Sequence, residues 1–155
     1  MPFDSTQFDY TKVQPVYDKD NPPKRMSEAL RLAVSDLVEA EQSPIHVVNM
    51  EYFHTQLDGF CHVCFAGSVI ASTLEADPTT NTDERRFGYE WRQVFMFLDA
   101  VRDGDIEEAK RRFHGGGSDY YGGKNTLGIT KYHEDPDQFK TDMLDLADLL
   151  ESEGN

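Results

Sequence analysis

The sequence has few cysteines, a deficit of positive charge and no long apolar segment. Two cysteines in 155 residues cannot supply the disulfide framework of a small secreted domain. Fifteen Lys and Arg against 29 Asp and Glu give a formal net charge of -14, which repels phosphate backbones and anionic lipid surfaces. No run approaches the roughly 18 apolar residues of a membrane-spanning helix, and the N-terminus is too polar for a secretory signal. We therefore expect a cytoplasmic protein that binds neither nucleic acid directly nor membranes.

The remaining composition is sufficient for one folded domain. Hydrophobic residues make up 38% of the chain and aromatic residues 12%, which is enough to build a core despite the net charge. Residues 1–25 contain four prolines and are predicted to form an extended arm that packs on the body through its aromatic side chains. Residues 26–155 are predicted to form a single globular domain.

Four segments have the apolar spacing of amphipathic helices. The first starts at Ser27, a candidate N-cap, and ends before residues 43–44. The second covers residues 90–104, and the third, 105–113, opens with an acidic pair typical of a capping box. The last follows Asp135 as N-cap and has a proline in its first turn.

Residues 61–74, CHVCFAGSVIASTL, are apolar over almost four helical turns, which predicts a helix in the middle of the core. Residues 45–53 are rich in β-branched and aromatic residues and predict a short strand, and Asp58-Gly59 indicates a turn. The sequence therefore predicts a mainly α fold with a minor β component, with about five helices and a short antiparallel hairpin or sheet. The alternative is an α+β fold in which residues 45–55 pair with residues 125–133.

The pair Cys61 and Cys64 is the first candidate for chemistry. A cysteine that opens a helix can have a lowered pKa and act as a nucleophile, with His114 or His133 as general base. This pattern would indicate a cysteine-dependent hydrolase or transferase. A redox dithiol is a further reading, although the βαβ surroundings typical of one are missing. Buried, unreactive cysteines on a core helix explain the pair without any catalysis, so we favour a protein that is not an enzyme.

A metal site is a second interpretation of the same segment. Zinc needs four converging ligands, and Cys61, Cys64, His54 and His62 are the candidates. Sequence spacing does not show that these side chains converge, so we expect neither a metal nor a cofactor.

Charge is distributed unevenly along the chain. Residues 32–84 contain nine acidic residues and no Lys or Arg. A row of carboxylates along a helix can imitate nucleic-acid phosphates and occupy a basic groove on a partner. Candidate partner-binding residues in the final helix are Asp137, Asp142, Asp145, Asp148 and Glu151. Tyr120 and Tyr121, in a glycine-rich loop, are candidate contact residues because tyrosine offers a large contact area at low entropic cost.

Three runs lie in the middle half of the chain: Asn49-Met50-x-x-Phe53-His54, Cys61-x-Val63-Cys64-x-Ala66-Gly67-x-Val69-x-Ala71-x-x-Leu74, and Phe97-Leu98-Asp99-x-x-Arg102-x-Gly104. Taken together, they resemble small accessory proteins of tailed bacteriophages. The resemblance implies a viral origin and implies no particular reaction or catalytic residue. It does not extend to the glycine-rich loop or the acidic final helix. Combined with the charge, it leads us to expect a non-enzymatic accessory protein that binds and modulates or inhibits a host or defence protein with a basic surface.

Overall fold

The structure of the protein, a computed structural model, describes residues 17–115 and 128–155. Within these ranges the mainly α fold with a minor β component is confirmed. The elements are α1 (Met26–Gln42), β1 (His46–Val48), β2 (His54–Leu57), β3 (Phe60–Val63), α2 (Phe65–Ala71), α3 (Tyr89–Arg102), α4 (Ile106–Phe113) and α5 (Pro136–Ser152). A single 3-10 turn, Glu84–Arg86, precedes α3.

Two of the predicted helix starts are confirmed and one is wrong. The Asp135 carboxylate accepts a hydrogen bond from the backbone N–H of Gln138 at the start of α5, and Asp105 caps α4 in the same way. Helix α1 instead begins at Met26 without a side-chain cap, and Ser27 is buried in its first turn. The apolar packing of that turn explains why α1 forms without a capping side chain.

The three strands form one sheet in the order β1-β3-β2. Strands β2 and β3 are an antiparallel hairpin, whereas β1 pairs with β3 in parallel. The turn residues Asp58 and Gly59 have φ angles of 54° and 84°, and two positive φ values match the right-handed twist of the flanking strands. The alternative pairing with residues 125–133 is wrong for its described part, because residues 128–133 contain no strand.

The prediction of one long helix over residues 61–74 is also wrong. Residues 60–63 form β3, and α2 begins only at Phe65, with Cys64 as its N-cap. Burial alternates along β3, because Cys61 and Val63 point into the core while Phe60 and His62 face outward. This alternation is characteristic of a strand. Cys61 therefore does not open a helix.

Helices α1, α2, α3 and α5 surround a core that contains the buried aromatic residues Phe65, Trp91, Phe95, Phe97 and Phe139. Helix α2 lies unusually close to the backbone before β2. A Cβ added at Gly67 would lie 1.5 Å from the carbonyl oxygen of Phe53, so this crossing requires glycine. None of the helices in the described ranges has the combined length and apolarity needed to cross a bilayer.

Residues 17–25, the described part of the N-terminal arm, contact α3. Tyr17 is buried, and the indole N–H of Trp91 donates to the carbonyl oxygens of Asp18 and Lys19, each at 3.1 Å. These contacts hold residues 17–19 against α3. Residues 1–16, the rest of the predicted arm, lie outside the described residues.

Candidate functional site

The sheet has an inner face in the core and an outer face in solvent. On the inner face, Cys61, Val63 and His54 are each at most 1% exposed. His54 pairs with Val63 across the hairpin, so its side chain lies on the same face as Cys61. The Sγ atom of Cys61 lies 3.4 Å from Nε2 of His54. The hairpin therefore brings a thiol and an imidazole within hydrogen-bonding distance.

Both groups of this pair are in their neutral forms near neutral pH. Burial raises the pKa of Cys61 to about 11 and lowers the pKa of His54 below its usual value. A reactive cysteine needs the thiolate, which is favoured by a nearby cation or a helix N-terminus. Cys61 lies in a strand and its imidazole neighbour is uncharged, so the environment protects the thiol and does not activate it.

The second cysteine has a structural role. Cys64 caps α2, and its Sγ accepts a hydrogen bond from the N–H of Gly67 at 3.4 Å. Burial raises the pKa of the Cys64 thiol to about 12. A helix N-terminus by itself favours a thiolate, and here the loss of hydration outweighs that effect.

The two histidines predicted as general bases are elsewhere. His133 accepts a hydrogen bond from the N–H of Met50 at 3.1 Å through Nε2. His114 follows α4 and packs edge-on against Phe113. Neither is the imidazole that contacts Cys61, because that position belongs to His54.

The four candidate zinc ligands do not converge. Residue His62 neighbours Cys61 in β3, so its side chain points to the opposite face of the sheet, where its ring lies edge-on to Tyr52 with centroids 5.5 Å apart. Within residues 17–115 and 128–155, no group of three His, Cys, Asp or Glu side chains is arranged to hold a metal ion.

The five predicted partner-binding carboxylates of α5 cover roughly half of the helix circumference at about 100° per residue. Four of them contact other groups of the fold. Asp148 and Glu151 both bind Arg31 of α1, at 2.9 and 2.5 Å. Asp142 accepts a hydrogen bond from the N–H of Thr130. These three side chains therefore hold elements of the fold together as well as carrying charge.

The two remaining carboxylates of that set are more accessible. Asp137 is exposed, with Oδ1 3.6 Å from Nζ of Lys140. Lys140 also binds Glu41 of α1, so its single charge is shared between two carboxylates. Asp145 is exposed and makes no hydrogen bond or ion pair with any residue that the structure describes.

The segment without Lys or Arg has a more open acidic surface. Its exposed carboxylates are not paired with any Lys or Arg of the described ranges, apart from those that bind Arg85 or Lys140. The unpaired group consists of Glu39, Glu51, Asp58, Glu75 and Asp77. This segment also contains the whole sheet.

The outer face of the sheet exposes large apolar side chains. Ile45, Val47, Leu57 and Phe60 are between 37% and 48% exposed. This surface is not predicted from the sequence, because residues 61–74 have the apolar pattern of a helix. The available signal was the Asp58-Gly59 pair, which favours the two-residue turn of a hairpin. Tyr120 and Tyr121, the two other candidate contact residues, lie outside the described residues.

Comparison with protein family models, with curated protein sequences and with solved structures gave no match. Any function must therefore be argued from the residues of this chain.

Proposed function

We propose that this chain is a non-enzymatic, acidic accessory protein, of the bacteriophage type that its sequence resembles. It acts in the cytoplasm of the host cell by binding a host or defence protein through a basic surface of that partner, which it modulates or inhibits. One observation carries this proposal. Most exposed carboxylates of the segment 32–84 are not paired with any Lys or Arg of the described residues, namely Glu39, Glu51, Asp58, Glu75 and Asp77.

Unpaired surface carboxylates create a negative potential that extends about a Debye length into solution. Such a potential attracts a basic partner, speeds its association and repels phosphate groups. Arg31 reduces this potential on α5, where it binds Asp148 and Glu151. The segment 32–84 is therefore a stronger candidate than α5 for the main acidic contact. If the partner is a nucleic-acid-binding protein, the same carboxylates would occupy the place of phosphates.

The test is capture from a bacterial lysate at increasing salt, with two matched charge-reversal variants. One variant carries Glu51→Lys and Asp58→Lys in the segment without Lys or Arg, and the other carries Asp137→Lys and Asp145→Lys on α5. All four side chains are exposed, and each variant changes the net charge by the same amount. We expect a specific partner whose capture weakens with salt and is lost mainly in the first variant. A complex that is insensitive to salt, or no partner at all, would contradict the proposal.

A second candidate function, a cysteine-dependent hydrolase or transferase, is favoured by one observation, the contact between Cys61 and His54. The general base of such an enzyme would be His54, in place of His114 or His133. Burial of both groups opposes this function, because a substrate has no access to a thiol that is 1% exposed.

Alkylation by iodoacetamide distinguishes the two functions. Thiolate is the reacting species, and at pH 8 a raised pKa together with burial should slow alkylation of Cys61 by at least about 100-fold relative to the unfolded chain. Mass spectrometry of digested protein assigns the label to Cys61 or Cys64. Rapid labelling of Cys61 in the folded protein, lost in the His54→Ala variant, would support the enzyme.

A further inference from the structure

Exposed apolar side chains are concentrated on one surface of the protein. Among the described residues, six large apolar side chains are exposed, and four of them are Ile45, Val47, Leu57 and Phe60. The other two, Tyr89 and Leu149, lie singly on α3 and α5. Single exposed apolar residues are ordinary, whereas a contiguous group indicates a binding surface.

Strand pairing places these four side chains next to one another. Leu57 and Phe60 are a cross-strand pair at the end of the hairpin. Ile45 lies beside Phe60 on the other side, because its carbonyl oxygen accepts a hydrogen bond from the N–H of Cys61 at 2.9 Å. Adjacent strands are about 4.8 Å apart, so Ile45, Phe60 and Leu57 form a continuous apolar row across the sheet.

A second row borders the first. Val47 pairs with His62, which pairs with Thr55. Because side chains two residues apart share a face, this row lies on the outer face with the first. We call the two rows together the outer sheet surface, formed by Ile45, Phe60, Leu57, Val47, His62 and Thr55.

The segment that builds the outer sheet surface carries charge of one sign, and the nearest cations come from other elements. Arg102 and Lys131 line a cavity with Glu51, and Arg85 lines one with Thr55. Residues 43–63, which form the sheet and its connections, include two acidic residues and no Lys or Arg. Asp58 stands in the turn between Leu57 and Phe60, and Glu51 lies in the connection after β1. Both carboxylates are exposed and unpaired among the described residues. The surface is therefore apolar at its centre, with negative charge and no positive charge on the segment that builds it.

A second copy of this chain fits the surface poorly. Self-association about a two-fold axis would place the outer sheet surfaces together and bring the acidic connections of both copies close. Each copy carries a net charge of -14, and like charges across an interface oppose binding. A cationic partner has no such penalty.

We propose that the outer sheet surface is the docking site for a segment of a basic partner protein. In this segment, apolar side chains cover Ile45, Phe60 and Leu57, and flanking Lys or Arg side chains meet Asp58 and Glu51. The inference rests on the proposed function and identifies the surface and the partner chemistry that it requires. Apolar contact supplies most of the affinity, and the carboxylates supply orientation and selectivity.

The probe is a short peptide in which valine and threonine alternate between terminal lysine pairs, added to the full-length 15N-labelled protein. Two control peptides replace the lysines by glutamates or the valines by serines. The proposal expects the lysine–valine peptide to shift the amide resonances of Ile45, Val47, Leu57, Phe60 and their neighbours. Each control peptide should bind at least about tenfold more weakly. Three results would overturn the docking-site proposal. They are shifts of amide resonances that centre on α5, equal affinity for the three peptides, and no shift at millimolar peptide.

A matched pair of variants locates the contact. Phe60→Ser should weaken binding of the lysine–valine peptide by about tenfold. Leu149→Ser, which removes an equally exposed side chain from α5, should not change it. Equal effects of the two substitutions would contradict the location. Sedimentation analysis of the protein alone is also informative, because a dimer abolished by Phe60→Ser would assign the surface to a second copy and overturn the proposal.

The two proposals fail in different ways. If a salt-sensitive partner is captured equally well by the wild type and by Phe60→Ser, the proposed function stands and the outer sheet surface is not the docking site. If no salt-sensitive partner exists while the peptide still binds the sheet, the proposed function fails and the docking surface remains.

Discussion

The two faces of β3 have similar chemistry and opposite surroundings. Cys61 and Val63 point inward and are at most 1% exposed, whereas Phe60, in the same strand, is 46% exposed. The inner side chains pack against the helices, whereas Phe60 lies largely in solvent and His62, also on the outer face, meets the ring of Tyr52. An apolar residue in the core is explained by stability, but an apolar group left in water is not. The inner face is therefore explained by stability, and the exposed apolar outer face is what the proposed docking site rests on.

The polar groups at the two faces also differ in burial and in charge. On the inner face, burial keeps the Cys61 thiol and the His54 imidazole neutral. Beside the outer face, Asp58 and Glu51 are exposed and lack cationic partners among the described residues. The thiol and imidazole, which could take part in catalysis, are therefore buried, whereas the carboxylates of Asp58 and Glu51 are accessible to a partner. This contrast is the physical basis for preferring a binding protein over an enzyme.

The largest change in the free energy of unfolding is expected on the inner side of the sheet, where α2 crosses the backbone at Phe53. Gly67→Ala should lower the free energy of unfolding by about 3 kcal/mol, because its Cβ would overlap the carbonyl oxygen of Phe53 and the backbone must move. Gly88→Ala is the control, because a Cβ there meets nothing within 4 Å; it should cost under about 1 kcal/mol. Urea denaturation measures both. Similar values for the two variants would show that the crossing is not tight.

The same substitution on opposite faces tests the comparison itself. Val63→Ala removes a side chain that is 0% exposed, and Val47→Ala removes one that is 37% exposed. We expect a loss of about 2 kcal/mol for Val63→Ala, from lost burial and the cavity left behind. The loss for Val47→Ala should be under about 1 kcal/mol. If Val47→Ala costs as much as Val63→Ala, the outer face is structural and the assignment of faces is incorrect.

A partly buried carboxylate on α3, Asp99, has an ionisation that should affect stability. Burial raises the pKa of Asp99 to about 6, although the nearby Arg102 lowers it. In the unfolded chain the carboxyl has a pKa near its ordinary value of 3.8. The folded state therefore binds more protons than the unfolded state between these values, and this group adds stability as the pH falls through that window.

The expected result is that the wild type gains up to about 2 kcal/mol relative to Asp99→Asn when the pH is lowered from about 7 to 4. Burial lowers the pKa of His46 and His54, which gives a loss of stability in the opposite direction as the pH falls. That loss is common to both proteins and cancels in the difference. Urea denaturation at several pH values measures the difference in free energy of unfolding between the two proteins. A difference that stays constant with pH would show that the pKa of Asp99 is the same in the folded and unfolded states.

The smallest effect is expected for Phe60→Ser. Because the side chain is 46% exposed, its removal should change the free energy of unfolding by less than about 1 kcal/mol. Thermal unfolding followed by circular dichroism is sufficient to measure this change. A loss of several kcal/mol would mean that Phe60 belongs to the core and that its effect on peptide binding cannot be interpreted.

Helices were the most predictable part of the fold. The apolar spacing and the caps of α4 and α5 are local signals, and both helices begin where those signals indicate. The start of α1 was missed because its first turn is stabilised by packing, with no side chain as a cap. Packing partners that are distant in sequence leave no local pattern.

The sheet was less predictable than the helices, because one of its short strands runs directly into an apolar helix. A half-exposed strand is normally recognised by alternation of apolar and polar residues. In β3 the inward residues Cys61 and Val63 are followed directly by the apolar residues of α2, so residues 61–74 have the apolar pattern of a single helix. The contact between Cys61 and His54 was missed for the same reason, because it depends on the register of the hairpin.

The most direct test of the central claim is to compare capture of a partner from bacterial lysate by three variants of the full chain. The claim is that the protein acts through its acidic, apolar outer surface and not through its buried thiol. We expect Cys61→Ala to capture the same salt-sensitive partner as the wild type, and both Phe60→Ser and the variant with Glu51→Lys and Asp58→Lys to lose it. Capture that depends on Cys61 and persists in the two surface variants would contradict the claim.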